Sequence, residues 1–217
     1  MKLTMDNVAY RYRNANTLAV NRASCVFEPG LLYAIIGPSG SGKSTLLSIL
    51  AGLDLPSEGD VRYGNASLRD MDLDRYRRED ISMIFQAFQL FPLLTALENT
   101  CYPMELCGIK PAEAKIRARK LLENVGISPE QMKRFPSRLS GGEQQRVGIA
   151  RGLASGAKIL LADEPTGNLD VANARNIMEI LGRLARDEDY CVIVVTHNLE
   201  IAEMADVVFQ IRDGVLS

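Results

Sequence analysis

Nine consecutive residues, Gly37-Pro38-Ser39-Gly40-Ser41-Gly42-Lys43-Ser44-Thr45, have the types and spacing needed to hold a chain of phosphates. The glycines let the backbone wrap so that its N–H groups point at phosphate oxygens. Lys43 supplies a point charge for β- and γ-phosphates, and Ser44 offers a hydroxyl to Mg²⁺. An apolar run, Leu31 to Ile36, precedes the loop and has the character of a buried strand. Leu46, Leu47, Ile49 and Leu50 follow and predict a helix from Ser44 to Ala51. Strand, glycine-rich loop and helix together separate a phosphate loop from an ordinary Gly/Ser turn. The helix start brings unpaired N–H groups and a positive dipole end to the same anion.

A second centre of chemistry follows the apolar run Ile159-Leu160-Leu161-Ala162, which ends directly in Asp163 and Glu164. Two carboxylates at the carboxyl end of a buried strand fall where open α/β sheets bind ligands. Asp163 suits Mg²⁺, directly or through water, and Glu164 suits a general base acting on the attacking water. A third segment is Leu139-Ser140-Gly141-Gly142-Glu143. Ser140 and Glu143 have capping-box spacing, which predicts a helix starting at Ser140. Two glycines just inside a helix cost roughly 1 kcal/mol each relative to alanine, so something is expected to approach the backbone closely. An anion at the helix end would do so; a plain cap before a surface helix is the simpler alternative.

These residues need a scaffold, and 217 residues with 47% hydrophobic content can bury one substantial core. Buried apolar runs, including Ile81 to Phe85 and Val192 to Val195, alternate with helical patterns such as Ala172 to Ala185, which predicts an α/β core with a mainly parallel sheet. The first thirty or so residues read as short strands closed by Glu28-Pro29-Gly30, an N-terminal antiparallel β subdomain. From about Ala87 to Val147 the pattern becomes mostly helical; Pro111 to Val125 is amphipathic, with Gly126 as its stop. The mixed charges from Asp70 to Asp80 are expected on a solvated face. A net charge of −2 argues against a dedicated nucleic-acid binder. Four cysteines without a C-x-x-C pair point to a reduced compartment, with Cys191 expected in the core. Neither a signal peptide nor an apolar run long enough to span a bilayer is visible, so any membrane role is expected through a partner.

Phosphate loop, Leu-Ser-Gly-Gly-Glu, strand-Asp-Glu and a later histidine, in that order and across essentially the whole chain, resemble the ATP-binding cassette ATPases. The resemblance implies a phosphate-loop NTPase core that hydrolyses ATP with Mg²⁺ and works as a homodimer. Two copies would enclose two nucleotides head to tail, with Ser140, Gly141, Gly142 and Glu143 of one completing the site of the other. It implies that Gln86, after the strand Ile81 to Phe85, reaches Mg²⁺ and the attacking water. His197, the only histidine, would contact the γ-phosphate. Asn168-Leu169-Asp170 would cross the dimer interface, with Asp170 as the contact, and Tyr12 would stack on adenine, with Tyr10 close by. The implied partners are transmembrane permease subunits, which would hold the chain on the cytoplasmic face of the membrane. Phe88, Phe91 and Leu93 would either receive a partner helix or belong to the core of the helical insertion. Asp163-Glu164-Pro165-Thr166-Gly167-Asn168-Leu169-Asp170 is similar to the wording of lipoprotein-releasing, macrolide-exporting and cell-division transporters.

Overall fold

A computed structural model describes residues 1–13 and 15–217. Two sheets carry the architecture. The first is antiparallel, with strand order β2-β1-β4-β5, built from β1 (Leu3–Tyr10), β2 (Val20–Phe27), β4 (Glu58–Tyr63) and β5 (Ala66–Ser67). The second contains β3 (Leu32–Ile36), β6 (Ile81–Phe85), β7 (Ile159–Asp163), β8 (Cys191–Thr196), β9 (Val207–Arg212) and β10 (Val215–Leu216), ordered β10-β9-β3-β8-β7-β6. Every pair from β9 to β6 is parallel, and only β10 runs against its neighbour. This is the α/β core with an antiparallel subdomain expected from the sequence.

The central strands are buried on both faces, which explains their unbroken apolar runs. In β8, Val192 and Val194 face one hydrophobic cluster. Cys191, Ile193 and Val195 face the other. The period-two alternation of a strand thus feeds two cores at once. One core packs beneath α5 (Gly141–Leu153) and α6 (Val171–Glu188). The other packs beneath α1 (Lys43–Leu50) and the antiparallel sheet. A smaller cluster holds α3 (Ala96–Leu106) and α4 (Pro111–Asn124) together through Cys101, Met104, Ala114 and Ala118.

Some boundaries differ from expectation. The helix predicted at Ser44 starts at Lys43 and ends at Leu50. The helix expected from Ser140 is α5, with Ser140 as its cap; it runs on past Val147 to Leu153 because Ile149, Ala150 and Leu153 continue its buried face. The charged stretch near Asp70 contains a helix, α2 (Leu73–Glu79), whose Tyr76 is fully buried and donates its hydroxyl to the Leu50 carbonyl at 2.9 Å. Arg75 and Arg78 are exposed, as expected of a solvated face, whereas Arg77 is partly buried and donates to the Gly52 carbonyl at 2.5 Å. Cys191 is buried in β8, as expected. A short helix, α7 (Leu199–Ala202), follows β8.

Candidate active site

Strand register brings the chemistry together. Ile36 pairs with Thr196, Asp163 with Val195, and Phe85 with Asp163, so β3, β8, β7 and β6 end in line. The residues leaving those ends are the phosphate loop, His197, Glu164 and Gln86, all on one edge of the sheet. They face a cleft of about 700 Å³, lined among others by Ser39, Gly40, Gly42, Lys43, Ser44 and Thr45. Gln86, Asp163, Glu164 and His197 line it too, as does Tyr12.

The phosphate loop is shaped by its own packing. Gly42 sits at φ 106°, and a Cβ there would lie 2.2 Å from the Ala19 carbonyl oxygen, so only glycine fits. It caps α1 with no side-chain hydrogen bond, so no protein side chain claims the first N–H groups of that helix. Lys43 curls back over the loop and donates from Nζ to the carbonyls of Gly37 and Pro38 at 2.8 and 2.9 Å. That holds a nearly buried ammonium at the mouth of the cradle. Ser41 is also buried, and its hydroxyl has no partner. Ser44 donates its hydroxyl to Asp163 Oδ1 at 3.3 Å, joining loop and carboxylate across the cleft. Burial pushes the Asp163 carboxyl up, as does the charge of Glu164, while the Ser44 hydroxyl and Lys43 pull it down.

Glu164 occupies left-handed backbone at φ 48°, unusual for a side chain with Cβ and typical of functional turns. Its N–H donates to the Val195 carbonyl at 3.0 Å. Its Oε1 lies 2.8 Å from His197 Nδ1, and its Oε2 is buried without a partner. The two side chains form a hydrogen-bonded pair, and among the described residues Nε2 of the exposed imidazole has no protein partner. Tyr12 and Tyr10 separate cleanly. Tyr12 is half exposed over the cleft, its hydroxyl 2.9 Å from Thr45 Oγ1. Tyr10 packs edge-on against it and donates to Asp54 at 3.0 Å, behind the cleft wall.

The Ser140 segment does not line this cleft. Its capping box is complete: Ser140 Oγ accepts from Glu143 N at 3.3 Å, and Glu143 Oε2 accepts from Ser140 N at 2.7 Å. The reason for one of its glycines is internal. A Cβ on Gly142 would sit 2.4 Å from Asn173 Oδ1 of α6, whereas one on Gly141 would meet nothing nearer than 3.4 Å. The close approach expected at this backbone is made, for Gly142, by the chain's own side chain. Asp170 caps α6, accepting from Asn173 N at 2.9 Å and from Asn173 Nδ2 at 2.7 Å, and these bonds hold its carboxyl below the ordinary range. Asn173 therefore links Asp170 to the Ser140 helix, a role that only the Asp-x-x-Asn capping spacing hinted at. Asn168, expected only as part of an interface loop, also holds Gln86: it donates to the Gln86 carbonyl at 3.1 Å and accepts from the Gln86 amide at 3.4 Å. Of the apolar trio after Gln86, Leu93 is 86% exposed and Phe91 42%, so both lie open at the surface, and Phe88 is half-buried.

Sheet edge, phosphate loop and paired carboxylates define a phosphate-loop nucleotide hydrolase of the parallel α/β class. The chain belongs to the ATP-binding cassette family: the family model described as ABC transporter matches residues 20–167. It is 38% identical to an uncharacterised ABC transporter ATP-binding protein of Bacillus subtilis, YclH, over 98% of this chain and 94% of that one. A second uncharacterised ABC transporter ATP-binding protein, Rv0986 of Mycobacterium tuberculosis, is 41% identical over 98% of this chain and 87% of its own. Among solved structures, the dimeric bacterial ABC transporter cassette MJ0796 matches with a TM-score of 0.87 at 37% identity, covering 99% of this chain and 96% of that one. MJ0796 has also been solved as a dimer in a post-hydrolysis state bound to ADP and Pi, which matches with 36% identity. CbiO1 of Clostridium perfringens, part of the cbiONQ transporter complex, matches at 26% identity with a TM-score of 0.91, covering 99% of this chain and 86% of that one. The protein is thus an ABC ATPase cassette that binds and hydrolyses ATP. No helix among the described residues is long and apolar enough to cross a membrane.

Proposed function

We propose that this cassette works as a head-to-tail pair that closes around two ATP molecules and drives membrane-embedded partner subunits from the cytoplasmic face. One observation carries the reading: two helix ends suited to phosphate, those of α1 and α5, are built into the chain, yet only α1 opens into the cleft. A second copy is the source of the missing wall, with its Ser140, Gly141, Gly142 and Glu143 facing the γ-phosphate and its Asp170 at the interface. The MJ0796 cassette, solved as a dimer, supports the pairing.

Within each cleft, Lys43 and the loop N–H groups hold the β- and γ-phosphates, and Tyr12 stacks on adenine. The oxygen donors Ser44, Asp163 and Gln86 fit Mg²⁺, a hard cation that binds through few carboxylates plus phosphate and water. Bound there, Mg²⁺ would supply Lewis-acid charge to the phosphate oxygens. Glu164 takes a proton from the attacking water, and His197, oriented by Glu164, turns Nε2 toward the γ-phosphate. A second cleft of about 580 Å³, between the helical region and the sheet, is lined by Leu53, Phe91, Tyr102 and Leu106. Its exposed apolar side chains suit a membrane partner's cytoplasmic segment. The Asp163 to Asp170 wording favours the lipoprotein-releasing, macrolide-exporting and cell-division subgroup, which couples ATP binding to mechanical motion.

Glu164→Gln with saturating ATP tests the pairing. Light scattering should report a dimer that accumulates because cleavage is slow. A strictly monomeric ATP-bound variant would sink the reading.

A further inference from the structure

The loop that leaves Gln86 is held in an unfavourable shape. Phe88 and Gln89 both occupy left-handed backbone, at φ 55° and 48°, and neither is glycine. Two such residues in succession persist only where their surroundings over-determine them. Arg151, in the last turn of α5, does so: Nη1 donates to the Gln89 carbonyl at 2.6 Å and Nη2 to the Phe88 carbonyl at 3.3 Å. The same guanidinium lies 5.8 Å from the Phe91 ring centroid and lines the second cleft. It is half-buried, and among the described residues no carboxylate forms an ion pair with it. Burial accordingly pushes its pKa down with nothing to offset it. Its charge is committed to two backbone carbonyls and an aromatic ring. Asn168 grips the other end of the loop at the Gln86 carbonyl. The segment is therefore clamped at two points, one facing the nucleotide cleft and one facing the second cleft.

We propose that Arg151 is a positioning residue for Gln86, fixing the Phe88–Gln89 turn so that the glutamine amide stays over the nucleotide cleft. The inference rests on the reading above that Gln86 acts at the magnesium side of the nucleotide. Loss of the clamp frees the turn to relax to ordinary backbone, which swings Gln86 without touching the phosphate loop or Tyr12. Turnover should then suffer while ATP affinity does not.

Steady-state ATP turnover, its magnesium dependence, and thermal unfolding by circular dichroism decide the matter for Arg151→Ala, Arg151→Lys, Gln86→Ala and the double variant. Arg151→Ala is expected to lower kcat by on the order of tenfold to a hundredfold, with KM for ATP within about twofold and a raised magnesium midpoint. Arg151→Lys should recover part of the loss, because one ammonium cannot span both carbonyls. In a Gln86→Ala background, removing Arg151 should change kcat by less than about twofold, since both act through one group. A folded Arg151→Ala with wild-type kcat beside a slow Gln86→Ala overturns the positioning role alone, as do losses that multiply in the double variant. Wild-type turnover in Gln86→Ala overturns the reading of Gln86 and this inference with it. Should Arg151→Ala fail to fold, Arg151→Lys carries the same two criteria.

Discussion

The helices α1 and α5 both begin at segments rich in glycine and serine, yet their N-termini are finished in opposite ways. The start of α1 follows Gly42 and has no side-chain cap, so its N–H groups and dipole face the cleft unclaimed. The start of α5 is partly self-satisfied: Ser140 and Glu143 exchange hydrogen bonds, and Gln131 Nε2 adds a third contact to Glu143 Oε1 at 2.5 Å. An uncapped end is an anion site waiting for its ligand. A capped end keeps part of that capacity: the box claims the N–H groups of Ser140 and Glu143, and among the described residues those of Gly141 and Gly142 stay without an acceptor. On the reading proposed above, α1 binds nucleotide in one chain unaided. The α5 end of a second chain offers its two remaining N–H groups when the pair closes. The α3 terminus is the control. Thr95 and Glu98 form the same kind of box, Thr95 Oγ1 accepting from Glu98 N at 3.3 Å and Glu98 Oε2 from Thr95 N at 2.8 Å, with no glycines and no role at the cleft.

The largest break in this comparison comes from the open end. Lys43→Ala removes the one lysine or arginine that lines the cradle among the described residues. Turnover is expected to fall by about a hundredfold or more, as for loss of a principal charge donor in an active site. Wild-type phosphate release by this variant would remove the α1 end from the chemistry. Next in size, Ser140→Ala should slow ATP turnover and weaken ATP-driven pairing, while Thr95→Ala should leave both unchanged. Each loses an N-cap worth about 1 kcal/mol, which lowers Tm by roughly 2–4 °C in a chain of this size. Equal losses of activity in the two variants would show that the α5 cap matters only to the fold. A smaller effect is expected from Gly142→Ala, whose new methyl collides with Asn173 Oδ1. Removing the obstacle with Asn173→Ala should restore part of the lost stability. Calorimetry on the double variant checks this through a coupling of about 0.5–3 kcal/mol.

How far the sequence reaches depends on whether a role is local. The phosphate loop, the Ser140 cap and the Asp163-Glu164 strand end are written in consecutive residues, and the structure places them as expected. The parallel sheet was legible because strands buried on both faces need unbroken apolar runs. Strands β9 and β10 were overlooked, although Val207, Phe209 and Ile211 alternate with more exposed neighbours and carried a strand signal. Tyr76 was hidden because α2 spans only two turns, too short for a helical period to stand out from its charges. Asn168, Asn173 and Arg151 were beyond reach for another reason. Asn168 and Arg151 are ordinary polar residues whose partners lie far off in the chain, 82 positions in the case of Asn168 and Gln86, and Asn173, though bonded to the nearby Asp170, meets Gly142 only in the fold. Only the folded register brings such pairs together.

The smallest expected effect separates the two boxes by acid. The Glu98 carboxyl is held below its ordinary value first by the Thr95 hydroxyl and then by the Thr95 N–H. For Glu143, burial works upward, but the Ser140 N–H and side chain and the Gln131 amide outweigh it and leave the carboxyl lowered. A depressed folded pKa means that the unfolded chain binds the proton more readily. Both contributions are therefore fully present above the unfolded carboxylate range near pH 4.5 and fade as pH falls through the lower folded values. Glu98→Gln and Glu143→Gln should each flatten the acid limb of a stability-against-pH curve measured by denaturant unfolding. At neutral pH the two part company. Glu143→Gln weakens the box that orients an end proposed to meet nucleotide, so ATP-driven pairing should shift slightly, whereas Glu98→Gln should leave it alone. If acid weakens the chain equally with and without both glutamates, the boxes are not the groups that titrate, and their hydrogen bonds contribute nothing that depends on charge.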